Sequence, residues 1–98
     1  VRLFLDSVNL QEVRDVLSWG VLSGVTTNPS LCAAEGVEPR SRVIEIARLV
    51  PGPVTASIVA SSRDEMVAMG RDLAAASDNI VVQFPVDAES LAACRILS

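Results

Sequence analysis

Residues 54–85 read VTASIVASSRDEMVAMGRDLAAASDNIVVQFP, and the order of their parts decides the fold. Val54 to Ala60 combines β-formers with small residues, the composition of a strand. Ser62-Arg63-Asp64-Glu65 then opens a helix as a capping box. Met66, Met69, Leu73 and Ala76 follow at helical spacing as its apolar stripe. Asp78-Asn79 turns the chain into a second apolar run, Ile80 to Phe84, which Pro85 closes. Two strands joined through a helix pair in parallel, and the crossover is right-handed.

The same cycle repeats outward in both directions. Upstream, Pro51-Gly52-Pro53 ends a helix whose stripe is Val43, Ile46, Ala47 and Val50, with Pro39 in its first turn. Before it, Ser30 to Gly36 reads as a looser stretch with one helical turn. Val21 to Val25 is a strand that ends in Thr26-Thr27-Asn28-Pro29. Gly20 stops a helix capped by Asn9, with Glu12 as its capping-box partner and Leu10, Val13, Val16 and Leu17 facing the core. Arg2 to Asp6 is the first strand. Downstream, Asp87 caps a last helix carrying Leu91, Cys94 and Leu97. Four strand–helix units with apolar strands predict an α/β fold, a parallel (βα)4 sheet with covered faces.

Ninety-eight residues allow one domain, 1–98, burying roughly 64% of the surface it exposes unfolded. Half the residues are hydrophobic and the mean hydropathy is +0.43, which excludes a disordered tail. The apolar runs fall far short of the ~20 residues that cross a bilayer, so no membrane partner is expected. The start VRLFLDSVN meets Asp6 before a secretory apolar segment forms. A net charge of −4 and 3% aromatic residues argue against nucleic acid as a partner. Cys32 and Cys94 stand far apart without a CxxC, and read as reduced, buried thiols of a cytoplasmic protein.

The missing residue types are equally informative. The chain has no His, Tyr or Lys, and its eight basic residues are all arginine. No His-dependent triad and no His-bearing metal site can be built within it, and no metal or cofactor is expected. No side chain can form a Schiff base, since arginine stays protonated. The α-amine of Val1 would stand roughly 16 Å from Asp6 at the usual strand rise.

In parallel βα units the C-terminal strand ends open on one face, where α/β sites are built. Here those ends carry Asp6, Thr26-Thr27-Asn28, Ser57 and Gln83. Each alone is ordinary, because Asp and Asn cap helices and Thr suits strands. Four polar ends together, with Gln83 between Val82 and Phe84 in a strand expected to be buried, mark a candidate cleft mouth. No glycine pattern matches a phosphate loop or a dinucleotide fold. A receiver-type domain would want clustered carboxylates after the first strand and an aspartate ending the third. Asp6 has no acidic neighbour and Ser57 stands in the other place, which argues against that reading.

The runs FLDSVN, GVTTNPSL and IVVQFP resemble the transaldolase family, especially its small members similar to fructose-6-phosphate aldolase. GVTTNPS is the most specific of the three. The resemblance implies half of a TIM (βα)8 barrel from sugar-phosphate metabolism, whose relatives move or release a dihydroxyacetone unit through a lysine Schiff base. It implies that Asp6 handles protons and that Thr26 and Asn28 line the sugar site. Two positions depart from the family: Gln83 stands at the Schiff-base lysine, and Ser57 at the Glu or Gln that positions water. The chain is therefore expected to be catalytically silent. A (βα)8 barrel takes about 200 residues or more, so the first and fourth strands are expected to be open edges. The partner is then a missing C-terminal half or another half-barrel, as in a homo-oligomer. A non-catalytic structural or regulatory half-barrel is the alternative.

Overall fold

The computed structural model describes residues 2–98; Val1 and its amine lie outside the described residues. The elements run β1 (Leu3–Asp6), α1 (Leu10–Ser18), β2 (Leu22–Thr26), α2 (Pro29–Glu35) and α3 (Pro39–Leu49). They continue with β3 (Val54–Ser57), α4 (Arg63–Ala76), β4 (Ile80–Gln83) and α5 (Ala88–Leu97). The four strands form one parallel sheet in the order β1-β2-β3-β4. Successive strands are neighbours, and the arrangement is that of half a TIM barrel.

Burial alternates along β3: Val54 and Ala56 are buried, while Thr55 and Ser57 are partly exposed. The buried set joins Val13, Val25, Ile46, Ile58 and Leu73 in the core beneath the helices. The other face carries Phe4, Asp6, Thr55, Val81 and Gln83, and helices do not cover it. The chain thus covers one face of its sheet rather than the two expected. Gln83, expected to be buried, is exposed for this reason.

Each helix begins on a side chain that satisfies its free amides. Asn9 Oδ1 accepts from the Glu12 amide at 2.9 Å, Asn28 Oδ1 from Leu31 at 2.8 Å, and Asp87 Oδ1 from Ser90 at 2.7 Å. Neither expected capping box closes in return. The Asn9 amide donates to Ser7 Oγ, and Glu65 reaches Ser61 instead of Ser62. The stretch expected to hold one turn is all of α2, because Asn28 caps it and Gly36, at φ 69°, ends it in the left-handed region.

The stripe of α5 lies one position from its expected place. Ser90 and Ala93 are buried, whereas Leu91 and Cys94 are exposed and only Leu97 turns partly inward. Small residues let α5 approach α4 closely: Leu97 lies where a side chain at Gly70 would be. Cys94 is therefore a surface thiol and only Cys32 is buried. Met69 is likewise exposed, its place in the α4 interface taken by Gly70. Burial pushes the Cys32 thiol up from its ordinary value.

Three exposed carboxylates sit below the usual range. The Ser41 amide lowers Glu38, the Arg40 guanidinium lowers Asp72, and the Ser90 amide lowers Asp87. Depressed folded values add stability above the unfolded carboxylate pKa of about 4, lost as pH falls through the folded values. The urea midpoint, at fixed chain concentration, is expected to hold near pH 6 and to fall below about pH 4.5. Asp87→Asn should flatten part of that fall, and a midpoint level down to pH 2 would contradict it.

Candidate substrate-facing site at the strand ends

The register sets the polar strand ends in rows across the open face. Asp6 lies beside Thr26, Thr26 beside Thr55 and Thr55 beside Val81; one step further, Ser57 lies beside Gln83. Two hydrogen bonds link candidates within these rows. Thr26 Oγ1 donates to Asp6 Oδ1 at 2.9 Å, and Ser57 Oγ donates to Gln83 Oε1 at 3.3 Å. The first engages one carboxylate oxygen of Asp6. The second turns the Gln83 carbonyl toward β3 and leaves its amide donors available.

Asn28 has a divided role. Its oxygen is used by the α2 cap, which leaves its amide nitrogen as the donor of this side chain. Thr27, adjacent and 4% exposed, faces the interior. Its Oγ1 donates to the Thr55 carbonyl at 2.6 Å, and its amide reaches the same residue at 3.3 Å. This clamp holds the end of β2 to β3 and sets where Asn28 enters the mouth. Sequence reasoning placed Thr27 among the polar ends without assigning the clamp; its signal is the threonine doublet facing Thr55 on the neighbouring strand.

Two hollows adjoin the site. An open one of about 490 Å³ lies between the ends of β3 and β4, bordered by Ser57, Gln83, Phe84 and Pro85. A more enclosed one of about 290 Å³ lies behind Asn28 and Ser57, over Cys32, Val43 and Leu73. Arg40 and Asp72 pair across its outer rim, both exposed. Away from that rim the donors are neutral and Asp6 is the one charge in the two rows. Such a set suits a polyol or carbonyl compound held by hydrogen bonds. Among the described residues no group of three potential metal ligands occurs, and no helix is long and apolar enough to cross a membrane.

The comparisons with known proteins agree with this architecture. The family description Transaldolase/Fructose-6-phosphate aldolase matches residues 3–98. A probable transaldolase of Moorella thermoacetica is 46% identical over 98 residues, covering 100% of this chain and 46% of its own length. One from Symbiobacterium thermophilum is 45% identical over 98 residues, covering 100% and 45%. One from Alkaliphilus metalliredigens is 42% identical over 95 residues, covering 97% and 44%. The chain spans about half the length of these curated relatives. Matched along nearly its whole length by both comparisons, the chain belongs to the transaldolase/fructose-6-phosphate aldolase family.

Proposed function

We propose that this chain supplies the first wall of a cytoplasmic sugar-phosphate pocket and carries out no Schiff-base chemistry of its own. Asp6 is the proton-handling group, Thr26 orients it, and Asn28 donates to the dihydroxyacetone portion of the sugar. Gln83 takes the place of the imine-forming lysine and Ser57 that of the residue positioning water. The observation that carries the reading is the amide of Gln83 at the end of β4, bonded to Ser57 on the face that bears Asp6 and Thr26. An amide nitrogen shares its lone pair with its carbonyl and does not attack a ketone, and the chain has no lysine elsewhere.

The test is borohydride reduction in the presence of fructose 6-phosphate, followed by intact mass. The expected result is an unchanged mass. A stable gain on any side chain would overturn the silence of the site, and peptide mapping would locate the nucleophile. Retained binding of the sugar by NMR, without a covalent product, is the companion expectation. It would be lost in Asn28→Asp, which replaces a donor with an acceptor.

A further inference from the structure

The enclosed hollow of about 290 Å³ lies on the helix-covered side of β3, opposite the face that carries Asp6, Thr26 and Gln83. Alternation along the strand puts Ala56 and Ile58 on that side. The walls come from α2, α3, β3, α4 and the segments joining them, and none from β1, β4 or α5. The cavity therefore owes nothing to the outer strands. Close-packed interiors hold few voids larger than a water molecule. An apolar cavity of about 150 Å³ already takes up benzene.

The lining is apolar at the floor and charged only at the rim. Cys32, Val43, Ala56, Ile58 and Leu73 are all buried there. Burial pushes the Cys32 thiol up, so it stays un-ionised at neutral pH. Thr27 has spent its hydroxyl on the Thr55 carbonyl, and Asn28 its oxygen on the α2 cap. At the rim each charge is taken. Glu38 accepts from the Arg40 and Ser41 amides at 3.1 and 2.7 Å, and Arg40 grips Asp72 through two nitrogens.

We propose that this cavity is a second ligand site, separate from the sugar-phosphate wall, for a small uncharged apolar molecule about the size of a substituted benzene ring. The Arg40–Asp72 pair joins α3 to α4 over the mouth and sets that selectivity. Two carboxylates against one guanidinium repel an anion, and an anion inside would find no free partner. A cation would have to draw Asp72 away from Arg40. An uncharged ring meets neither obstacle, and it replaces water against Val43, Ile58 and Leu73. Both members of the pair are exposed, so solvent screens the bond and it opens readily to admit the ring. The site is independent of the proposed function, because sugar phosphates are anions and belong to the other face of β3.

Toluene is the probe, titrated into the protein and followed through the backbone amide resonances. The expected shifts saturate in the millimolar range and cluster on α2, Val43, Ile58 and Leu73. Benzoate, the same ring with a charge, should bind about tenfold or more weakly. Asp72→Asn, at an exposed position, frees the Arg40 guanidinium to pair with a carboxylate. It should raise benzoate affinity about fivefold or more and leave that of toluene within about twofold. Ala56→Leu, which fills the floor, should abolish binding of both; if that variant does not fold, the Asp72→Asn comparison decides. Toluene shifts that are absent or scattered over the surface overturn the proposal. So does benzoate that binds the unaltered protein as tightly as toluene, or gains nothing from Asp72→Asn. Displacement of toluene by fructose 6-phosphate would put both in one site and overturn their separation.

Discussion

Gln83→Lys, in a chain completed by the second half of a relative, is expected to turn a site with no trappable imine into one that traps nearly stoichiometrically. The substitution places an amine beside Ser57, on the face that carries Asp6 and Thr26. Gln83 is exposed in the half-barrel. A lysine there would keep a pKa near 10.4, leaving roughly one amine in 2,500 neutral at pH 7. Closing the barrel removes water from the position, lowers that pKa and raises the reactive fraction. The isolated half bearing Gln83→Lys should accordingly trap little, and the completed barrel much. Turnover should remain poor, because Ser57 is too short to position water as Glu or Gln does. Adding Ser57→Glu should recover part of the about 10²–10⁴-fold that general acid–base help contributes. Equal turnover in the single and double variants would remove the role given to position 57. Absence of imine in both would mean that position 83 does not point into the pocket.

Gly52→Ala is expected to be among the most damaging single substitutions in the chain. Gly52 lies between two prolines in the bend that leads from α3 to β3. A Cβ there would overlap the Ser23 carbonyl oxygen, which is backbone and cannot rotate aside. Pro51 and Pro53 hold the flanking backbone angles, so the bend cannot open to relieve the overlap. Overpacking typically costs about 1–3 kcal/mol where side chains can yield, and here the obstacle is main chain. The expected loss is about 3 kcal/mol or more, a large share of the roughly 5–15 kcal/mol that holds a domain together. Urea titration followed by circular dichroism reads it directly. A shift of the midpoint no larger than that of an exposed control such as Ala75→Gly would show that the bend is more pliant than its geometry indicates.

The sequence alone carried the order of strands and helices, because caps, prolines and apolar runs punctuate this chain clearly. Local pattern could not carry what depends on neighbours. β3 was expected to continue to Ala60 but ends at Ser57, since the ladder with β4 stops at Gln83 and Pro85 follows. Pattern alone puts the α5 stripe on Leu91, Cys94 and Leu97, because large residues dominate a hydrophobic pattern, and only Leu97 turns partly inward. The interface instead buries the small Ser90 and Ala93, with Ser90 against Met66 and Leu97 against Gly70. Asn79 read as a turn residue, yet its amide donates at 2.9 Å to the carbonyls of Ala47, Val50 and Gly52, tying the end of α3 to the start of β4. At the site, Asp6, Thr26, Ser57 and Gln83 were legible because parallel units bring their strand ends to one face. Their pairing in twos depended on register, and the exposure of Gln83 on which face of the sheet the helices cover.

The neighbour-to-neighbour order of the sheet also bears on how the chain is made. Its ladders join residues from Leu3 with Leu22 to Val25 with Val54, no more than about thirty positions apart. Each strand can therefore dock on its predecessor as soon as it leaves the ribosome, without waiting for distant sequence. A polypeptide built in this way reaches a half-assembled sheet while synthesis continues, with one growing edge always facing the segment that emerges next.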